Sequence, residues 1–401
     1  MEKNREIGLY RYLPGDRNIW VIILLLSFVS ILVVYSSTGL LAYRYQAGHT
    51  AYYALKHTGM ILSGWLIIYV TSRIPYTYFS RIGWILFWLA VPLLALTLAM
   101  PKVNDASRWL EIPVIGLTFQ TSDLAKLALV MYLARILAKK QATIGEKQTF
   151  YQVVWPPLLI CGLIFPENLS TAALLMLTSV VMMMFGGVRT RYLAGLLSVM
   201  VLGAGLLAAT LYIVPEESLP GRFATWKARI ENFAGSDDGS DSNYQATQAK
   251  IAIANGGVVG KMPGNGIQRN FLPHPYSDYA YAIVVEEYGM VGGIIVLLLY
   301  LWFIRRGIKI ARQCHGSFGC FLVLGVCFLF TLQALVNMGV AVNLLPVTGQ
   351  ILPFVSMGGT AMWFNSFGAG LVLSVSAAVE KQKKEQGKEL ADMEKATAVN
   401  E

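Results

Sequence analysis

Long apolar runs, broken by short polar connections, cover most of the chain. A helix that crosses a bilayer needs about 20 mostly apolar residues. Runs of that kind lie at 18–38, 50–71, 82–100, 119–138, 152–166, 169–186, 191–214, 279–304, 317–343 and 360–379. They predict about ten transmembrane helices. The run 152–166 is short and holds Pro156 and Pro157, so it reads as a bent or partly re-entrant element whose backbone the protein must bury. One connection is long and polar, 215–278, between the seventh and eighth helices. Its acidic stretch "AGSDDGSDSNYQ" reads as flexible. After it, Ala246, Ile251 and Ala252 recur at helical spacing and predict a short surface helix. The Lys/Glu-rich tail beyond 381 reads as solvated.

Composition supports the membrane reading. The 401 residues are 55% hydrophobic and only 14% charged, against roughly 25% charged in a soluble chain. The net charge of +9 is spread over short loops, which argues against nucleic acid as a partner. Cytoplasmic loops carry an excess of Lys and Arg. With the N-terminus inside, the inside segments hold Arg73, Arg81, Arg135, Lys139, Lys140, Lys147, Arg189, Arg191, Arg305, Arg306, Lys309 and Arg312, and the tail adds five lysines. The short outside loops hold only Arg44, Lys102 and Arg108. The expected fold is therefore an all-α polytopic membrane protein with both termini cytoplasmic and 215–278 as a large outer loop. Residues 1–17 form a cytoplasmic segment, 18–380 the membrane domain and 381–401 a cytoplasmic tail. The first apolar run lacks a small-residue cleavage site and reads as a retained helix. Cys161, Cys314, Cys320 and Cys327 form no C-x-x-C pair and read as free thiols.

Charged groups inside membrane helices mark function by default. In "FQTSDLAKLALV", Asp123 and Lys126 are three apart and share a helix face. They form either a self-neutralising ion pair or a polar site for an anionic substrate. Thr121 or Ser122 is placed to cap that helix, whose positive end would favour phosphate. Arg108 beside Trp109 takes a substrate or a structural role. In "FPENLSTAALL", Asn168 or Ser170 can cap the next helix. Between the ninth and tenth helices, prolines and glycines break the apolar pattern, and Gly358–Gly359–Thr360 would open the tenth helix. Asp278 begins the eighth helix as a cap or as a functional carboxylate. Glu286 and Glu287 lie two to three turns further in and call for a basic partner.

The ordered set "FQTSDLAKLALV", "PENLSTA", "GVRTRYL", "NYQATQAKIAIANGGVVG", "FLPHPYSDYAYAIVVEEYGMVGG" and "LLPVTGQILPFVSMGGT" resembles the SEDS family (shape, elongation, division and sporulation) of FtsW/RodA-type wall glycosyltransferases. The likeness covers residues ~15–380. It implies an inverting glycosyltransferase that polymerises lipid II at the outer face of the bacterial inner membrane. It implies a class B penicillin-binding protein and other division or elongation proteins as partners. The family's essential aspartate falls on Asp278. Its helix motif falls on Ser122, Asp123 and Lys126, with the carboxylate one methylene shorter here. An aspartate of the family's P-D-x-G-T is Asn168 here, which removes an acid/base role and keeps a hydrogen-bonding one. Arg108, Ser356, Gly358 and Gly359 complete the expected substrate-binding set. "LPVTGQ" followed by "SMGG" leans toward the division member.

These residues fit one reaction. A sugar hydroxyl attacks the anomeric carbon of the donor, and a carboxylate, Asp278, takes its proton. The diphosphate leaving group calls for cations, helix N-termini or a divalent metal, Mg or Mn; no cofactor is otherwise indicated. Two other readings use the same features: a lipid II flippase, which a broken helix and intramembrane charges would suit, and a noncatalytic scaffold.

Overall fold

The structure is a computed structural model and describes residues 13–39, 43, 50–99, 109–112, 117–214, 222–234, 241–272 and 275–399. Every expected apolar run is helical: α1 (Arg17–Ser37), α2 (Thr50–Arg73), α3 (Tyr76–Ala99), α4 (Thr121–Lys139), α5 (Lys147–Ile164), α6 (Leu169–Phe185), α7 (Thr190–Ile213), then α10 (Ala280–Gln313), α11 (Ser317–Ala341) and α12 (Thr360–Val399). Among the described residues six stretches are long and apolar enough to cross a membrane: α1, α3, α7, α10, α11 and Thr360–Glu389 of α12. Leu202 and Leu206 of α7 are about 70% exposed (67% and 71%), as a lipid-facing helix would be. The chain is a mostly helical, multi-pass membrane protein.

Several expectations change. Pro156 and Pro157 lie inside one continuous α5, because neighbouring helices bury Val153, Val154 and Ile160 around them. The fold is not purely helical: β1 (Trp109–Ile112) and β2 (Leu117–Gln120) pair antiparallel, Trp109 opposite Gln120. The long polar connection holds two helices, α8 (Phe223–Ala234) and α9 (Asp241–Gly256). The latter takes in the second half of the acidic stretch; residues 235–240 lie outside the described residues. As expected, α9 is a surface helix: Lys250, Ile251 and Asn255 are exposed, while Ala249 and Ala252 are fully buried on its inner edge. Finally, α12 runs on to Val399, because Lys, Glu and Ala are strong helix formers.

The core centres on α4. Every residue from Thr121 to Ala134 is buried, so this helix is covered on all sides. It packs on α3, α5, α6, α11 and α12. One end of the bundle is pinned at Asp16. Its carboxylate caps α1 through the Asn18 and Ile19 N–H groups (2.8 and 3.3 Å) and pairs with Arg306 of α10. Its own N–H donates to Ser376 Oγ of α12 at 2.9 Å.

A second fastening joins the long polar connection to α10. The helix breaks at Gly289, φ 70° and ψ −172°. The Gly257–Met262 segment fills the break. Lys261 and Met262 N–H donate to the Glu286 and Glu287 carbonyls (3.0 and 2.9 Å), while Met290 and Val291 N–H donate to the Gly257 and Val258 carbonyls (2.9 and 3.3 Å). Both sides of the break recover the bonds that a helix would have supplied. The approach is too close for side chains: a Cβ on Gly289 would lie 2.2 Å from the Val258 carbonyl oxygen, and one on Gly260 2.3 Å from that of Glu287. Gly289→Val should therefore destabilise the protein by at least roughly 1–3 kcal/mol, the cost of forcing a side chain into a disfavoured backbone region. The readout is the thermal midpoint in detergent. Gly195→Ala, whose added Cβ meets nothing within 4 Å, should not lower it. An unchanged midpoint for Gly289→Val would contradict the fastening.

Candidate functional site

The buried end of α4 carries the first polar group. Thr121 and Ser122 do not cap this helix: its N-cap is Gln120, with no side-chain cap bond. Instead both sit in the first turn. Asp123 and Lys126 form the ion pair their spacing allows, at 2.8 Å, and both are buried. Lys126 Nζ also lies 3.4 Å from Gln333 Oε1 of α11. Among the described residues Asp123 Oδ2 has no partner. A cavity of about 20 Å³ opens at the first residues of the same helix, lined in part by Thr97, Thr121, Ser122, Glu167 and Asn168. That is room for a single water among polar groups.

The irregular segment after α11 is held by amide side chains. Gln333 Nε2 donates to the Ile351 carbonyl at 3.0 Å. Asn337 Nδ2 donates to the carbonyls of Gln350 (2.6 Å) and Asp278 (2.8 Å). Gln350 Nε2 donates to Thr171 Oγ1 at 2.7 Å. Thr171 N–H in turn donates to Asn168 Oδ1 at 3.1 Å, and Asn168 is the N-cap of α6. Ser356 Oγ donates to the Ser277 carbonyl (2.6 Å) and accepts from Leu352 N–H (2.9 Å). Met357 N–H donates to the Tyr276 carbonyl at 2.8 Å. The broken segment and the turn that carries Asp278 are thus one hydrogen-bonded unit. Gly358 and Gly359 open α12 as expected, with Gly359 at φ 54°.

Asp278 is not a helix cap. The N-cap of α10 is Tyr279, without a side-chain cap bond. The Asp278 carboxylate is half-buried and accepts one bond, from Ser277 Oγ at 3.0 Å. Glu286 and Glu287 are fully buried and committed elsewhere. Glu286 Oε1 accepts from Ile267 and Gln268 N–H (2.8 and 3.1 Å), at the start of the Gln268–Asn270 turn. Glu287 accepts from Ser36 Oγ and lies 3.8 Å from Arg269, which itself donates to the Ser36 carbonyl at 2.9 Å. The expected basic partner is therefore Arg269, on a 3-10 turn.

Asp278, Ser356, Asn168 and the Asp123–Lys126 pair are linked through Gln333, Asn337 and Gln350. No ion pair joins Asp278 to Lys126 among the described residues. Arg108 lies outside the described residues. The sequence reading missed Gln333 and Asn337, although their i, i+4 spacing on an apolar helix was a signal. It also missed the arginines of α8. Burial pulls the Arg229 guanidinium below its ordinary range and Arg222 acts in the same direction, while Asp278 and Tyr279 pull it back up.

A family model for the FtsW, RodA and SpoVE cell cycle proteins matches residues 16–381. A Geobacter metallireducens protein named probable peptidoglycan glycosyltransferase FtsW is 30% identical over 389 residues, 94% of this chain and 98% of that protein. A Coxiella burnetii protein of the same name is 29% identical, over 90% of this chain and 96% of its own length. Among solved structures, one described as the structural coordination of polymerization and crosslinking by a peptidoglycan synthase complex superposes with a TM-score of 0.69 at 22% identity, covering 91% of this chain and 98% of that one. Thermus thermophilus RodA superposes with a TM-score of 0.61 at 21% identity, covering 90% and 96%. At that identity the two structures speak for the fold. The family match spans most of the sequence, including the fastened polar connection and the Asp278 turn: the chain belongs to the FtsW/RodA/SpoVE family of cell cycle proteins.

Proposed function

We propose that this protein is a peptidoglycan glycosyltransferase that polymerises lipid II for the septal wall. The names of its full-length relatives support the activity. The observation that carries the site is the Asp278 turn. It is bonded to the broken segment before α12 and leaves its carboxylate to one neighbouring hydroxyl. In this reading ten helices span the membrane, both termini are cytoplasmic and the Asp278 turn faces outward. That topology puts the Lys- and Arg-rich loops inside and the reacting headgroup beside Asp278, at the outer leaflet of the inner membrane.

The reaction is a single displacement. An acceptor sugar oxygen forms the new bond to the anomeric carbon of the donor, Asp278 takes the hydroxyl proton, and the bond to the diphosphate oxygen breaks. The configuration at that carbon inverts. Lys126, Ser122, Asn168, Ser356, the Gly358–Gly359 backbone and Arg108 position substrate around that path; Asp123 holds Lys126. Among the described residues no three His, Cys, Asp or Glu side chains gather. A Mg or Mn ion, when bound, would supply positive charge to the diphosphate leaving group. A class B penicillin-binding protein is the partner that crosslinks the product. The flippase and scaffold readings have no observation of their own.

The test is glycan synthesis from lipid II by the purified full chain with its partner in liposomes. Asp278→Asn should cut the rate by about 10²–10⁴, the usual worth of a positioned base; a normal rate would overturn the assignment. The ion pair gives a second expectation. Lys126→Met alone leaves Asp123 buried and unpaired and should cost about 3–5 kcal/mol of stability. Adding Asp123→Asn should restore the thermal midpoint and leave polymerisation defective. Recovery of both would make the pair purely structural.

A further inference from the structure

Helix α8 lies beside the site and carries cations with unequal surroundings. Lys227 is satisfied: Nζ donates to the Val214 carbonyl at 2.8 Å and lies 3.8 Å from Glu231. Arg222, just before the helix, and Arg229 are not. Nε and Nη1 of Arg222 and Nε of Arg229 are buried with no hydrogen-bond partner among the described residues. Seven positions apart, they fall on one side of the helix, two turns from each other. They act on each other electrostatically, and Asp278 acts on Arg229, yet no ion pair joins either arginine to a carboxylate among the described residues. Buried guanidinium N–H groups need acceptors. Two adjacent cations need more negative charge than one aspartate supplies. A polyanion with several oxygens would meet that need.

The adjoining flank of α8 indicates what carries that polyanion. Trp226 anchors the helix, its ring 5.3 Å from that of Phe165 and 4.9 Å from that of Phe223. Ile230, next to Arg229, lines an apolar cavity of about 590 Å³ between α5, α6 and α7, with Leu158, Met176, Met200 and Leu207 among its walls. One short helix therefore borders hydrocarbon space along one flank and carries cations without partners among the described residues along the next. An amphiphile with a hydrocarbon chain and a multiply charged phosphate head matches both.

We infer that Arg222 and Arg229 grip the diphosphate of a polyprenyl-linked donor, whose first isoprene units lie in the cavity under Ile230. The inference rests on the polymerase reading and adds to it the cations that hold the leaving group. Planar guanidinium groups bond phosphate oxygens in pairs. Placed beside Asp278, they would take up the charge that develops as the sugar–phosphate bond breaks.

The experiment measures binding of farnesyl diphosphate, farnesyl monophosphate and inorganic pyrophosphate to the purified full chain, alongside lipid II polymerisation. Farnesyl diphosphate should bind the unsubstituted protein most tightly. Arg222→Gln and Arg229→Gln should each weaken it by about tenfold or more, the scale of a lost bond between charged groups. Arg229→Lys, which keeps the charge and loses the paired bonds, should weaken it less. Equal affinity of the unsubstituted protein for the mono- and diphosphate would overturn the inference without any variant, as would Gln variants that bind like the parent. Pyrophosphate binding as tight as farnesyl diphosphate would overturn the cavity's part. If binding depends on the arginines but no glycan forms, the polymerase reading falls and the diphosphate site stands. If glycan forms and binding ignores them, the site falls alone.

Discussion

Helix α10 is interrupted where it can least tolerate it, and the interruption is filled by backbone from the preceding connection. At Gly289 four helical groups lose their partners, and inside a membrane protein each lost backbone bond would cost several kcal/mol. The Gly257–Met262 segment replaces them with bonds in both directions. The two buried glutamates just before the break tie down the rest of the connection. Glu286 accepts from the Ile267 and Gln268 N–H groups, and Glu287 meets Arg269 and the end of α1 through Ser36. A long polar connection thus becomes rigid where it passes α10. The Asp278 turn, only a few residues beyond the Gln268–Asn270 turn, inherits that rigidity.

From there the geometry propagates through neutral groups. Gln333, Asn337 and Gln350 bond backbone carbonyls and a hydroxyl, joining α11, the broken segment and α6. Amides satisfy buried backbone without placing net charge in a low-dielectric interior, where an unpaired ion is far more costly than an amide. The full charges near the site are then few and easily told apart. Lys126 is already neutralised by Asp123 at 2.8 Å. Arg222 and Arg229 have no such partner among the described residues. A cation without an ion-pair partner gains more from an incoming phosphate than one that must share it, which favours the arginines over Lys126 in the proposed grip on the diphosphate.

How much of this was legible depended on the range of the cause. Apolar runs are local, and each one became a helix. The Asp123–Lys126 pair and the Asn168 cap were also legible, because residues three apart on a helix must meet. The fastening at Gly289 was not, since it depends on a positive φ and on a segment about thirty residues away; the only local trace was the glycine run in "IANGGVVGKMPGNG". The β1–β2 hairpin was hidden in strands of four residues, too short to show alternation. Arg222 and Arg229 passed as ordinary loop cations because the polar connection gave no hint that their guanidinium groups would be buried.

Asp278 was legible as a carboxylate but not as a free one. An aspartate before a helix is ordinarily consumed by capping, as Asp16 is at α1. Here the chain turns through residues 275–279 and makes Tyr279 the boundary, so the Asp278 side chain falls one position outside the cap. The other acids around the site are occupied: Asp123 by Lys126, Glu286 by two backbone N–H groups, and Glu287 by Ser36 and Arg269. Each of those bonds takes up an acceptor position that a base would have to offer its substrate. Among the described residues Asp278 accepts a single bond, from a flexible hydroxyl, and its side chain is half-exposed. A general base needs an unshared lone pair, a path for substrate and a fixed backbone. Of the described acids named here, Asp278 alone combines all three, its own carbonyl being held by Asn337.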